Sequence, residues 1–525
     1  MAIKRKTAKN IGFFSALSVL IGSVIGIGIF FKNGSVFESN GFNGIGVLIS
    51  WILAAVVATA TAFSFAEISS STRSKAGLAK WAELFAGKKI GYFIKLSLPI
   101  FYFGILIPAI FIFAAESIFN IFDIKSGTSP NGLLSNTHIG YVFLVALVLF
   151  VIILFTNVKY KNLSRKTQFV LTITKFLPLV ATIIIGLIFA STKGVNLITH
   201  PGKPLPLPDG GLMPNPTPTP IDFSGILASL PAILFAFDSF LAVGSLSKEM
   251  KNGEKKIPLV IVVGMVFCSM IYLLITISQI LIGQGVIGNF YNFLFSGDPT
   301  LAFSLELIID IFMFLSIVGV ANGLTLASIR NFDYLVKSKI VYKYDVINRV
   351  GRKHEFLSGA ILLFIVFMFW FTSMLIPSAI INTDVLVDGM SNYPTLFFFL
   401  VYGLVIFFAL LNRWKKKINV NKVRLFIPIS IISLIGIIII FGYQIFYENL
   451  AKLIIDYKQP ISWGVLMDRG HKFLAWQGAI VFFVSIFCFF TIPFLNKFLF
   501  KAERKINYLI AKKEITKMVI ASNKS

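Results

Sequence analysis

Two apolar runs carry residues that an unbroken membrane helix does not favour. GSVIGIGIF, residues 22–30, puts Gly22, Gly26 and Gly28 in the first run; SLPAILFAFDSFLAVGS, residues 229–245, puts Pro231 and Asp238 in the sixth. Glycine inside a helix costs roughly 1 kcal/mol relative to alanine, and in a bilayer every freed backbone group needs a partner. A break exposes N–H groups on one half-helix and C=O groups on the other. The first kind of end attracts anions and the second cations. Two facing breaks at mid-membrane can therefore hold a zwitterion without any charged side chain. Interrupted segments at corresponding positions of two halves point to a binding site between inverted repeats.

Other readings of the same residues stay open. Gly22 and Gly26 form a G-x-x-x-G pair, which also serves close helix packing. Gly26-x-Gly28 lacks the preceding strand and the third glycine of a dinucleotide fingerprint. Asp238 is either a functional carboxylate or a structurally paired one. Lys175, in TQFVLTITKFLPLVATIIIG, lies about 12 Å inside its run at 1.5 Å per residue, where a lysine either snorkels or acts. Tyr102 is an aromatic that reaches the site or simply packs. Glu116 and Asp310 are further acids with no motif behind them.

The elements that must position these residues are membrane helices. The 525-residue chain is 56% hydrophobic and 14% charged, with mean hydropathy +0.84. Reading about 17–25 apolar residues per span, twelve spans are expected. They run over 11–31, 44–66, 92–119, 139–156, 168–190 and 223–246, then 257–283, 300–328, 357–380, 394–412, 425–447 and 473–499. The fold class is thus an all-α polytopic membrane protein.

The net charge of +25 invites a nucleic-acid reading, but the basic residues fall on alternate connections. Lys4, Arg5, Lys6 and Lys9 precede the first span; the loops after spans two, four, six, eight and ten are basic, as is the 500–525 tail. The loop after span nine, IPSAIINTDVLVDGMSNYP, has no Lys or Arg. This positive-inside pattern places both termini in the cytoplasm of a multi-pass plasma-membrane protein, with lipid and not nucleic acid as surroundings. The N-terminus has no signal-peptide cleavage pattern.

The Pro-rich stretch of 191–222 reads as an extended external loop, and TRSKAGLAKWAELFAGKK after span two as an amphipathic surface helix. Cys268 and Cys488 lie in apolar runs and imply neither a disulfide framework nor a zinc site. The four histidines, His138, His200, His354 and His471, fall in loops or at span ends. No cofactor, metal or catalytic group is expected, and the chain reads as a non-enzyme. Neither the polar cluster of a membrane transferase nor the charge rings of a channel are found.

Several motifs, in order, resemble the amino acid–polyamine–organocation (APC) superfamily of permeases. GSVIGIGIF resembles its first-span signature. WILAAVVATATAFSFAEISS, ending near Glu67, resembles its second span, and FAFDSFLAVGSLSKEMKNGEKKIP its sixth span and exit loop. Three departures stand out: Ser239 where the family usually has glycine, Gly253 where it has proline, and TRSKAGLAKW in place of its usual loop.

The resemblance implies a five-plus-five inverted repeat, residues 11–190 and 223–412, followed by two helices over 425–499. It implies import or exchange of amino acids by alternating access, proton-coupled or sodium-independent, with polyamines or other organic cations as the alternative substrate. Carried over residue by residue, Ile27 and Gly28 give N–H groups to the substrate carboxylate and Val24 a carbonyl to its ammonium, within a site of Gly22, Ser23 and Gly26. Phe235 is the aromatic gate, the carbonyls of Phe235 and Asp238 complete the ammonium site, and Ala236 and Ser239 belong to the unwound floor. Lys175 stands in for a bound cation, bonding carbonyls around Gly22 to Ile25 and linking proton exchange to the cycle. Ser316 is a candidate hydroxyl facing it, in competition with Asn322, Thr325 and Ser328.

Overall fold

A computed structural model describes residues 12–26, 28–72, 77–126, 137–193, 205–206, 212–213, 217–241, 250, 252–282, 298–351, 354, 356–461 and 473–522. The protein is a polytopic bundle of α-helices. Among the described residues, nine helices are long and apolar enough to cross a membrane. Three shorter apolar helices, Phe13–Val24, Phe176–Ile188 and Phe223–Phe237, fall where the spans 11–31, 168–190 and 223–246 are expected.

In chain order, α1 (Phe13–Val24) and α2 (Gly28–Ser39) share the first run, followed by α3 (Gly44–Ser69) and the short helix α4 (Leu78–Ala86). A second pair, α5 (Lys88–Ser97) and α6 (Gly104–Ser126), is joined through a wide π-type turn over Leu98–Phe103. Then come α7 (Ile139–Lys159), α8 (Lys161–Thr174), α9 (Phe176–Lys193), α10 (Phe223–Phe237), α11 (Gly253–Ile282) and α12 (Pro299–Lys337). The chain ends with α13 (Tyr344–Val350), α14 (Leu357–Ile381), α15 (Val385–Lys415), α16 (Phe426–Tyr443), α17 (Lys452–Ile455) and α18 (Ala475–Ser522). Two short antiparallel ladders, Leu205–Pro206 with Leu212–Met213 and Pro460–Ile461 with Phe473–Leu474, complete the described structure.

Local chemistry sets several boundaries. The Asn43 side chain accepts from the N–H groups of Ile45 and Gly46 at the start of α3, and Asp222 accepts from Ser224 N–H at the start of α10. Asp298 does the same for Leu301 ahead of α12, with Pro299 in the first turn, where its missing N–H costs nothing. On α7 the side chains of Tyr141, Leu144, Val148, Ile152 and Phe155 point outward while Val142, Phe143, Ala146 and Phe150 are buried. That helical spacing of one fully apolar surface suits lipid on one side and protein on the other.

Two boundaries differ instructively from the sequence expectation. Span ten was expected to start at 394, with the preceding polar stretch as loop. Instead α15 begins at Val385, and Asp388, Ser391 and Asn392 are buried inside the bundle. Polar residues broke the hydropathy pattern there because they face protein and not lipid. In the same way the first run continues as helix to Ser39, well past its expected end at 31.

Candidate functional site

The first break is real and short. Helix α1 ends at Val24, Ile25 is extended (φ −68°, ψ 100°), and helical structure resumes at Gly28. Lys175 closes the freed carbonyls: its Nζ donates to Gly22 O and Ile25 O. The lysine is 3% exposed and sits at the joint between α8 and α9.

The second break lies opposite. Helix α10 ends at Phe237, Asp238 is extended (φ −69°, ψ 175°), and Ser239 takes a left-handed φ of 69°. That conformation suits glycine and costs an L-residue about 1–2 kcal/mol. The Asp238 carboxylate accepts three hydrogen bonds: from Ser239 N–H at 2.7 Å, from the Tyr102 hydroxyl at 2.5 Å and from the Thr395 hydroxyl at 2.7 Å. Tyr102 lies in the π-type turn before α6, and its hydroxyl is also 3.3 Å from Ser239 Oγ.

The two breaks touch through Gly28 and Ala236. A Cβ on Gly28 would lie 2.4 Å from Ala236 Cα and 2.6 Å from its Cβ. The Tyr272 hydroxyl on α11 spans both, 2.9 Å from Val24 O and 2.9 Å from Ala236 O. The Val24 carbonyl expected for a substrate ammonium thus already meets a hydroxyl. Tyr272 has one proton for two carbonyls, and each carbonyl oxygen has two lone pairs, so acceptor capacity remains. The Phe235 carbonyl accepts from Asp238 N–H at 3.3 Å.

Between the breaks is a cavity of about 40 Å³, lined by Ser23, Val24, Gly26, Gly28, Tyr102, Phe235, Asp238 and Ser239, and closed by Leu106, Ile110, Val320 and Leu324. This is small beside the roughly 300 Å³ or more of an ordinary ligand pocket, so the site is contracted. Of the other expected residues, Gly22 stands behind the cavity as a Lys175 acceptor, and Ala236 backs Gly28. Ile27 lies outside the described residues. Ser316 is fully buried, and among the described residues its Oγ has no hydrogen-bond partner, Lys175 included.

Sequence reasoning missed Tyr272, Thr395, Lys32 and Asp388. Tyr272 and Thr395 sit in apolar runs with nothing local to mark them. Lys32, fully buried, bonds Asp388 Oδ1 at 3.3 Å and Asp388 O at 3.1 Å, with its Nζ 5.4 Å from the Phe235 ring centroid. A charged residue one position beyond an expected span end was the available signal for Lys32.

Residues 11–458 match a family described as amino acid permease. The chain belongs to that family. A serine/threonine exchanger, SteT, of Bacillus subtilis is 25% identical over 328 residues, 61% of this permease and 66% of its relative. The mouse b(0,+)-type amino acid transporter 1 is 23% identical over 441 residues, covering 81% of the permease and 80% of the mouse protein. An uncharacterized protein of Mycoplasma pneumoniae is 24% identical over 476 residues, 81% and 82% of the two chains.

Proposed function

We propose that this permease is a secondary transporter that imports or exchanges amino acids across the plasma membrane by alternating access. The observation that carries the reading is the pair of helix breaks facing one shared cavity, with Lys175 on the carbonyls of the first. A fixed ammonium at Gly22 O and Ile25 O supplies the positive charge that a coupling cation would otherwise bring there. Transport without sodium follows, driven by protons or by exchange. The substrate carboxylate goes to the N–H end of α2 at Gly28, with Ile27 beside it. The ammonium goes to the carbonyl ends of α1 and α10, and Phe235 closes over them. In this reading residues 11–190 and 223–412 are the two inverted repeats, the basic loops and both termini are cytoplasmic, and the opposite face is external.

Asp238 favours a second reading, in which the substrate is a polyamine or another organic cation, because a buried carboxylate forms part of the cavity wall. The deciding experiment is uptake by proteoliposomes of tritiated L-serine, L-leucine, L-arginine and putrescine, with and without sodium. Saturable, stereospecific amino acid uptake indifferent to sodium is expected. Saturable uptake of putrescine alone selects the second reading, and flux linear in concentration for every compound overturns both.

A further inference from the structure

Helix α16 contributes nothing to the cavity, yet a stripe of small and polar residues fixes it along α3 in antiparallel register. A Cβ on Gly436 would stand 2.3 Å from Val57 Cγ2. One turn away the Ser433 hydroxyl is 2.8 Å from Thr61 Oγ1, and a further turn on Ser430 Oγ donates to Ser64 Oγ at 2.9 Å. Thr61 and Ser64 donate their own protons back along α3, to Val57 O and Ala60 O, so the protons between the helices come from α16. All four hydroxyl side chains are fully buried. Residues 57, 61 and 64 share one face of α3 by their spacing, and small residues with hydroxyl pairs are the usual adhesive between membrane helices. The other side of α16 exposes Ile431, Ile435 and Ile438.

The stripe continues past the ends of both helices. Glu67 Oε2 accepts from Arg413 Nη2 at 2.5 Å and from Val423 N–H at 2.8 Å, and the same Arg413 nitrogen donates to Val423 O at 3.0 Å. Ser70 Oγ accepts from Asn421 N–H at 2.8 Å. The connection from α15 to α16 is thus folded back onto the end of α3. Glu67 is 3% exposed, and a buried carboxylate stripped of such donors is left uncompensated. This end is therefore held more firmly than the hydroxyl pairs alone would hold it. At the far end of α16 the Tyr443 hydroxyl donates to Ser224 O, in the first turn of α10, at 2.9 Å. One helix is so pinned to α3 and α15 at one end and to α10 at the other.

Both α3 and α10 are fastened to the helix breaks. Trp51 Nε1 on α3 donates to Asn33 Oδ1 on α2 at 2.9 Å, and Asn33 Nδ2 donates to Gln279 Oε1 on α11. A Cβ on Gly225 of α10 would stand 2.2 Å from Ser39 O of α2. The facing wall of the cavity comes from α6 and α12, and α14 joins those two. A Cβ on Gly359 of α14 would stand 2.1 Å from Ile329 O of α12, and Trp370 Nε1 of α14 donates to Ile100 O, just ahead of α6, at 2.7 Å. Across the cavity the approach is looser: a Cβ on Gly26 would meet Val320 Cγ2 at 3.4 Å. We propose that α16 and the 416–425 connection are a brace of the body that carries the two breaks, registered on α3 while α6, α12 and α14 move against that body. Alternating access is largely rigid-body motion around a fixed site, and a strut that runs the length of α3 and reaches the start of α10 keeps one of the two bodies rigid. The proposal rests on the transport reading above, and the first arm of its test needs no transport.

The full chain, with Cys268→Ala and Cys488→Ala, is reconstituted into vesicles and given one of two cysteine pairs, folding being checked by thermal midpoint. Thr61→Cys with Ser433→Cys is in register, and its touching hydroxyls place the β-carbons near the span of a disulfide. Ser64→Cys with Ser433→Cys is displaced by one turn. Under oxidation the first pair should close about tenfold faster than the second, because the displaced pair lies outside good disulfide geometry. Equal rates, or a first pair that stays open, mean that α16 slides along α3 or stands off it, and overturn the proposal with or without transport. In the second arm, uptake of tritiated L-serine, L-leucine and L-arginine is compared before and after oxidation of the in-register pair. The cross-linked protein should keep the saturable uptake of its reduced form. Uptake that stops on oxidation and returns with reductant shows that α3 and α16 must move apart, and overturns the brace. Register-specific closure with no uptake even in the reduced protein supports the fixed packing of α16 and counts against the transport reading.

Discussion

Gly28 and Ala236, 208 positions apart in the sequence, pack backbone to backbone: a Cβ on Gly28 would stand 2.4 Å from Ala236 Cα. This contact joins the two helix breaks, and it ranks the glycines of the first run. At Gly26 the nearest atom to an added Cβ is Val320 Cγ2 at 3.4 Å, an ordinary contact. Gly28→Ala should therefore destabilise the protein by about 1–3 kcal/mol, the usual range for overpacking, and abolish uptake. Gly26→Ala should be tolerated, whereas Gly26→Trp should fill the cavity and block binding while the protein still inserts. Thermal midpoints and labelled uptake for the three variants check the ranking; equal behaviour of the two alanine variants counts against it.

Removal of the lysine at the first break is the next case. Lys175→Ala leaves the carbonyls of Gly22 and Ile25 without their donor. Each buried acceptor so abandoned costs about 1–3 kcal/mol. The expected result is a lower thermal midpoint together with loss of uptake. Partial recovery of either in high sodium would mean that a free cation can take the ammonium's place. A variant with wild-type stability and uptake removes Lys175 from the mechanism.

Ser239 offers a test in the opposite direction. Its φ of 69° is left-handed, and Ser239→Gly should relieve about 1–2 kcal/mol of backbone strain. The hydroxyl lost by this change is only 3.3 Å from Tyr102 OH, and Asp238 still holds both Tyr102 and Thr395. A raised thermal midpoint is expected, and a lowered one would show that the serine side chain stabilises the second break more than its backbone strains it.

The short helix α4 carries a pH dependence. Glu83 contacts Lys95 at 2.8 Å and Lys80 at 3.0 Å. Hydrogen bonds from Lys95 and then Lys80 hold its carboxyl below the ordinary carboxylate range. With the folded value below the unfolded one, the stabilisation is complete above the ordinary carboxylate pKa and is lost as pH falls through the depressed value. Hydrogen-exchange protection over 78–86, corrected for intrinsic rates, should fall on acidification. In Glu83→Gln protection should be low throughout and independent of pH in that range.

Much of the architecture was readable because a bilayer imposes one rule on every span: roughly 20 apolar residues with all backbone groups satisfied internally. The breaks were readable for the complementary reason. Clustered glycines in 22–28 and a proline with an acid in 231–238 violate that rule, and both places are where helix ends in the structure. The same rule hid Asp388. Polar residues at 388–392 read as loop, although burial against Lys32 makes them helix. Tyr272 and Thr395 were silent because a tyrosine or threonine in an apolar run is ordinary, and only its neighbours give its hydroxyl a task.

By itself the sequence determined the helical membrane fold, the places where helices break and the family to which the chain belongs. Each of these depends on composition and spacing within one stretch of chain. The tertiary structure decided which groups meet across the breaks: Lys175 with Gly22 and Ile25, Asp238 with Tyr102 and Thr395, Lys32 with Asp388, Tyr272 with both half-helices. These contacts join residues from distant helices. In a medium without water, a buried polar atom is defined by the partner that packing brings to it, and hydropathy along the chain carries no record of that partner.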